Sequence, residues 1–522
     1  MEDNTFMSII GIGCIILFSL IILILCYLTS NAETNKSILG YGLSNRSFST
    51  FQATCALVSS WVCGGYFFGT MESIVSSDKG FIWTQLPWAY AISFILNSIL
   101  FCELLYETEA ITVFDPIFRK FGSIFGTIIS IPSLLVDLLW TAISFSILKN
   151  YLSILLGFKF SGMTIFIGVC VAVIAIMYGM TSQKSIGFIC FLVMFILSLV
   201  ITISISSKTD LATIRSNREK WFGTLEIQYI GEWLDQLICM ILGGSCWSTF
   251  YQHFLSCRSF NAGYATSLLS CFGTLFFGIL ACILAIVYTT KDWSSIEGTG
   301  TLDGKEGVIF CYSIQVFDLP SFFKPLYILF IVAISFGSLF GSIFSFSTVM
   351  AVNIYKELFK KQANDSEVLI VWKISIGCVT MIAMVLSFFI ESLPSPFILI
   401  TECLFIIVFP QLLLTLWLPQ GVNIYGAIMG LIAAVLMRWS IGIEEIGIAA
   451  WWNMPYGFPY RFVIVLIEMI VEISVSKLFY YFIEEKNCSF LDVLNVFSAP
   501  VSHTPSNRRM RSRSHSLKII DV

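Results

Sequence analysis

The sequence predicts an all-α integral membrane protein with about thirteen transmembrane helices. Three observations carry that prediction. Of the 522 residues, 57% are hydrophobic and only 12% are charged, where a soluble domain has about 25% charged. The mean hydropathy is +0.87, too apolar for a surface that meets water on every side. Apolar runs of membrane length recur from one end to the other, and in lipid a non-barrel chain satisfies its backbone only as helix. Together these exclude a soluble enzyme, a nucleic-acid binder and a disordered scaffold.

Taken in order, the predicted spans are 6–28, 48–73, 81–104, 121–154, 162–181, 186–206, 229–254, 263–289, 323–351, 368–391, 396–418, 423–441 and 460–483. The first follows an acidic stub, Glu2 and Asp3, with no basic region before it and no small-residue cleavage site after it. It therefore reads as a true span and not a signal peptide. The 16 cysteines lie mostly inside apolar runs, there is no CxxC pair, and only three histidines occur. Cysteine in such a setting behaves as a small hydrophobe, and metal chemistry, a disulfide framework and an organic cofactor are not expected. With no nucleophile–base pair and no phosphate loop, the chain does not read as an enzyme.

An odd number of spans puts the termini on opposite sides. The tail carries Arg508, Arg509, Arg511, Arg513 and Lys518, and the loop before span ten carries Lys356, Lys360 and Lys361 on the same side. Basic residues collect on the cytosolic face, so the N-terminus is expected outside and the C-terminus in the cytosol. The loop 207–228 is then extracellular although Lys208, Arg215, Arg218 and Lys220 argue against it. The sequons at Asn35, Asn45, Asn364 and Asn487 fall in the cytosol and are expected to stay unmodified. The basic tail, 486–522, reads as an anchor to anionic lipid, or as a regulated segment whose serines, once phosphorylated, would cancel much of its charge.

Two spans contain their own breakers. The second includes Ser59-Ser60-Trp61-Val62-Cys63-Gly64-Gly65-Tyr66 and the seventh includes Leu242-Gly243-Gly244-Ser245-Cys246-Trp247. A Gly-Gly pair costs about 2 kcal/mol of helix propensity against alanine. Close helix packing explains either pair alone. Two such pairs, five spans apart and each beside a tryptophan, point to the paired broken helices of an inverted-repeat transporter.

Trp61, Trp140 and Trp247 sit near mid-span, away from the interfaces where tryptophan anchors a helix. Three indoles at that depth either pack the core or form an aromatic cage for a quaternary ammonium group, which offers no hydrogen bonds but is drawn to ring faces. Asp137, Asp235, Glu402, Glu468 and Glu472 are acids inside predicted spans. Such residues are costly there and mark functional sites or buried ion pairs; Arg438 is an available partner.

The segments Ser60-Trp61-Val62-Cys63-Gly64-Gly65-Tyr66, Trp233-Leu234-Asp235, Leu242-Gly243-Gly244 with Trp247, and Phe409-Pro410-Gln411-Leu412-Leu413 resemble the high-affinity choline transporters of the sodium/solute symporter family. So do Thr112-Val113-Phe114-Asp115-Pro116, Asn353-Ile354-Tyr355 and Tyr425-Gly426-Ala427. The resemblance runs from about residue 40 to 485 and is most specific in spans two, three and seven. It implies a leucine-transporter-type fold with inverted five-helix repeats and two discontinuous helices. On this chain that gives an N-terminal span and loop (1–47), a first repeat (48–206), the extracellular loop (207–228), a second repeat (229–418) and C-terminal spans (419–485).

The resemblance further implies plasma-membrane choline uptake, driven by sodium and dependent on chloride, chiefly in cholinergic nerve terminals, where it supplies acetylcholine synthesis. By the same resemblance Trp61, Tyr90, Trp140 and Trp247, with Asp235, bind the substrate. Asp137 and Glu402 give acidic support, and Ser59, Ser60 and Ser338 are candidates to hold sodium. Gly64, Gly65, Gly243 and Gly244 would open the helices. The chain departs from the family at Gly337-Ser338, where the family has two serines, at Phe340, where it has aspartate, and at Ile186-Gly187-Phe188-Ile189-Cys190, where it has a Thr-Asp-Val-Val-Gln run. Lost oxygen ligands weaken a hard-cation site. Two other readings stay open: a paralogue for another quaternary amine or with altered or no sodium coupling, and a non-transporting ligand-binding membrane protein.

Overall fold

In the computed structural model the described residues are 2–30, 34–76, 80–157, 162–291, 293, 306–390, 394–442, 448–452, 454–485 and 492–494. The tail beyond residue 494, with its basic residues, and the sequon at Asn487 lie outside them. The helices that build the molecule are, in chain order, α1 (Glu2–Thr29), α2 (Thr50–Trp61), α3 (Gly64–Val75), α4 (Leu86–Asn97), α5 (Asp115–Phe121), α6 (Ser123–Leu156), α7 (Gly162–Tyr178) and α8 (Gln183–Ser206). The second half holds α9 (Ile230–Gly244), α10 (Ser248–Leu255), α11 (Phe260–Tyr288), α12 (Phe323–Thr348) and α13 (Asp365–Leu386). It closes with α14 (Pro394–Cys403), α15 (Phe409–Trp417), α16 (Ile424–Ile441) and α17 (Tyr460–Tyr480).

The all-α class holds: among the described residues the sole β pairing is an isolated bridge between Phe48 and Cys257. Among the described residues, eight helical stretches are long and apolar enough to cross a membrane. Exposed Ile, Leu, Phe and Val side chains cover α1, α7, α8, α13 and α16, as they must where the solvent is lipid rather than water. Polar side chains turn inward instead: Ser335, Ser338, Ser342, Ser345 and Ser347 of α12 are all buried.

The backbone is interrupted next to both glycine pairs. After α2 the chain passes through Val62 (φ −75°, ψ 80°), and Cys63 caps the start of α3 through its Sγ. After α9, Ser245 and Cys246 lead to an extended Trp247 (φ −76°, ψ 121°) that opens α10. The first pair therefore begins a helix and the second ends one. Both pairs also permit close packing: a Cβ on Gly64 would lie 2.8 Å from Ile147, and one on Gly244 would lie 2.9 Å from the Tyr90 ring.

Helix α2 is clasped from two sides. A Cβ on Gly337 of α12 would meet the Ser59 carbonyl oxygen at 2.6 Å, and one on Gly341 would meet Ser60 Cβ at the same distance. On the other side Gly187 of α8 lies against the backbone of Ala56. Two motifs distant in sequence also join: Asp115 accepts from Thr112 Oγ1 (2.5 Å), the Ile111 amide (2.8 Å) and Asn353 Nδ2 (3.0 Å).

Candidate functional site

The breaks in α2–α3 and α9–α10 bring four aromatic rings together between α2, α4 and α6. Trp140 and Trp247 meet edge to face at 4.2 Å between centroids, and Trp61 lies 5.0 Å from Trp247 and 6.4 Å from Trp140. Tyr90 lies 5.5 Å from Trp61 and 6.2 Å from Trp247. Phe94, which sequence reasoning did not single out, adds a fifth ring 4.7 Å from Trp61. All are buried. At these separations the rings touch one another, so a cation among them must part the rings to reach their faces.

Hydrogen bonds fix how the rings stand. Trp140 Nε1 donates to Ser338 Oγ at 2.9 Å, and Trp247 Nε1 donates to Asp137 Oδ1 at 2.9 Å. Tyr90 and Thr401 share a hydroxyl–hydroxyl bond of 3.0 Å. Trp61 Nε1, also buried, has no hydrogen-bond partner among the described residues. Asp137 places its buried carboxyl at the floor of this cluster. It accepts additionally from Ser248 Oγ at 3.0 Å and Thr249 Oγ1 at 3.3 Å, the first residues of α10. It therefore sits where the positive end of a helix favours a carboxylate. Among the described residues no basic side chain forms an ion pair with it.

Asp235, expected to bind the substrate, and Glu402, expected as acidic support, share a cluster with two arginines. Arg461 Nη1 lies 3.3 Å from Asp235 Oδ2 and its Nε lies 2.7 Å from Glu402 Oε2, while Arg438 Nε also binds Glu402. The amides of Arg461 and Phe462 add two further donors to Asp235. The start of α17 thus takes up both acids. Arg461 was the signal missed: a cation in the first turn of an otherwise apolar helix calls for an anion.

The sodium candidates are near one another but differently employed. Ser59 Oγ donates to the Ala56 carbonyl at 3.0 Å, leaving its own carbonyl oxygen facing Gly337. Ser60 Oγ accepts from Gln183 Nε2 at 2.6 Å and bonds His253 Nε2 at 3.3 Å. Ser338 Oγ holds Trp140 and Ser144 (3.0 Å), linking the aromatic cluster to the serines of α12. Gln183, His253, Ser144 and Ser342 escaped sequence reasoning, although polar residues inside apolar runs are the signal that finds them. The departures have packing reasons. Gly187 is required by the approach of Ala56, and Phe340 stacks on Phe344, which in turn stacks on Trp372.

No family model matches the sequence. High affinity choline transporter 1 of Mus musculus is 25% identical over 98% of this chain and 92% of its own length. The Caenorhabditis elegans protein of that name is 25% identical over 89% of this chain and 83% of its own. The Torpedo marmorata protein is 27% identical over 83% and 76%. Among solved structures, a Na+-coupled sialic acid symporter in its substrate-bound outward-open state superposes with a TM-score of 0.74 at 14% identity, covering 90% of this chain and 97% of that one. A nucleobase-cation-symport-1 family transporter, in a closed conformation with bromovinylhydantoin bound, gives 0.55 at 12%, covering 84% and 94%. Each of these proteins is named a transporter and none an enzyme. The chain is a multi-pass membrane protein with the fold of these symporters, and along nearly its whole length it is similar to the high-affinity choline transporters.

Proposed function

We propose that this protein takes up choline, or a closely similar quaternary ammonium compound, by sodium-coupled alternating access at the plasma membrane. The observation that carries the reading is the cluster of Trp61, Tyr90, Trp140 and Trp247 standing on Asp137. Ring faces attract a methylated ammonium that cannot donate hydrogen bonds, and the buried Asp137 carboxyl, with no cationic partner among the described residues, would supply the opposite charge once the cation is bound. The similarity to proteins named high-affinity choline transporters supports the same substrate class.

The topology proposed is thirteen spans, with α2–α3 and α9–α10 each counted as one interrupted span, two inverted repeats, an external N-terminus and a cytosolic C-terminus. Sodium would be held by the Ser59 carbonyl, Ser60 and Ser338, which pack around the first break. Sodium binding would favour the outward-open state, and substrate would then favour occlusion. Chloride dependence and the supply of choline for acetylcholine synthesis belong to the same proposal.

Radiolabelled choline uptake into cells expressing the protein, with and without external sodium, tests it. Saturable uptake that is lost on sodium removal and abolished by Trp247→Ala is expected. Unaltered uptake by Trp247→Ala would overturn the site. A second reading, altered sodium coupling, is favoured by Gly337, Phe340 and Gly187, which put hydrogen, an aromatic ring and hydrogen where the related family has oxygen ligands. Uptake insensitive to sodium selects it.

A further inference from the structure

Glu468 and Glu472 lie one turn apart on α17, and each is 0% exposed. Between them stands Gln411 of α15, also 0% exposed, whose Nε2 donates to Glu468 Oε1 at 3.0 Å and to Glu472 Oε2 at 2.8 Å. One amide nitrogen has two hydrogens, so both are used. The remaining oxygens, Glu468 Oε2, Glu472 Oε1 and Gln411 Oε1, have no donor among the described residues. Two carboxylates thus converge on one amide, with three oxygens left unpaired among the described residues and α16 packed against another side. There Gly426 and Gly430 have no side chain to intrude on the α17 backbone.

The cationic and titratable groups around the pair are mostly engaged elsewhere. On α16, Arg438 is taken by Glu402, and Tyr425 donates to Asp492. On α9, Asp235 is taken by Arg461, Glu232 lies in the first turn and Cys239 is a buried thiol. Helix α15 contributes no titratable group, and α17 itself adds Tyr460 and Arg461 in its first turn and Lys477 and Tyr480 in its last. That leaves Lys120, at the end of α5, whose Nζ donates to the Pro419 carbonyl at 2.9 Å. Burial pushes its ammonium down to about 7, and Glu472 opposes that shift. One lysine cannot neutralise two buried carboxylates, and an unneutralised charge at this depth is strongly disfavoured.

We infer that Glu468, Glu472 and Gln411 form a proton-binding site, in which the two carboxyls hold at least one proton between them. A proton fits better than a metal ion. The place between the carboxylates is filled by the Gln411 N–H donors, and a hard cation needs a shell of oxygens there. The site is separate from the aromatic cluster. It shares α17 with Arg461, so its protonation acts on the same helix that holds Asp235 at the outer end of α9.

Infrared spectroscopy of the purified full-length protein in lipid nanodiscs tests this without using transport, so its outcome is independent of the choline reading. Near neutral pH, wild type minus Glu468→Gln or minus Glu472→Gln should reveal a protonated-carboxyl carbonyl band that at least one substitution removes. Both substitutions are isosteric and neutral. Gln411→Leu removes both donors to the carboxylates and should move the titration of that band upward, with proton binding about tenfold tighter or more. Lys120 contributes nothing to a carboxyl band. Absence of any band assignable to either glutamate, or a titration unmoved by Gln411→Leu, would overturn the proposal. So would loss of the band on adding sodium at constant pH, which would make the occupant a metal ion.

Discussion

Replacing Asp137 with asparagine removes one charge from under the aromatic cluster while keeping the shape of the side chain. The Oδ1 that accepts from Trp247 Nε1 at 2.9 Å survives, and Ser248 can reverse its hydroxyl to accept from the new amide. What is lost is the attraction between the carboxylate and a cation against the Trp247 ring. The 2.9 Å bond runs outward from the indole edge while a methylated ammonium stands over the ring face, and combining these distances at right angles places the two charges about 6 Å apart. At an effective dielectric constant of about 20, that is worth about 3 kcal/mol. Since about 1.4 kcal/mol is a factor of ten, the Asp137→Asn protein should bind choline roughly 100-fold more weakly. The assay is the concentration dependence of choline-induced thermal stabilisation in detergent, alongside the KM for uptake. A neutral isostere, in which carbon replaces the ammonium nitrogen, provides the control and should bind both proteins equally. If the choline affinity of Asp137→Asn stayed within about threefold of wild type, Asp137 would not be the counter-charge and the reasoning fails.

Two further outcomes concern the scaffold. Arg461→Gln leaves Asp235 buried without its ion-pair partner while Glu402 keeps Arg438. This should cost about 3 kcal/mol, seen as a lower melting temperature. Adding Asp235→Asn should recover part of the loss, because the two effects act through one contact; strict additivity would refute the coupling. Gly337→Ser restores the residue of the related family but sets a Cβ 2.6 Å from the Ser59 carbonyl oxygen. It should lower stability by about 1–3 kcal/mol and leave sodium activation no stronger. A fully stable Gly337→Ser protein with steeper sodium dependence would show that α2 and α12 have room to part.

Much of this architecture was legible because lipid makes its demands in plain composition. Apolar runs of a fixed length have to be helix, and the predicted spans fall within a few residues of helices such as α1, α11 and α16. The aromatic cluster was legible because tryptophan at mid-span contradicts its usual interfacial place, and Trp61, Trp140 and Trp247 do meet. The acids were ambiguous for a physical reason. A carboxylate inside a span looks the same in sequence whether it faces a ligand, as Asp137 can, or an arginine two hundred residues away, as Asp235 does. The glycine pairs were ambiguous likewise, since a residue without a side chain both loosens a helix and admits a neighbour. The Gln183–Ser60–His253 chain depends on three separate helices coming together, which no local pattern records.

The glycines that clasp α2 have a consequence for how such a protein can move. Gly187 on one side and Gly337 and Gly341 on the other bring three helices almost backbone to backbone, and contacts of that kind leave no side chains to slide or repack. Helices α2, α8 and α12 are therefore expected to travel together. Yet α2 and α8 belong to the first stretch of sequence expected to form a repeat, and α12 belongs to the second. If the proposed repeats hold, the units of inheritance and the units of motion would differ, and a hinge is to be sought between spatial neighbours that lack a glycine seam.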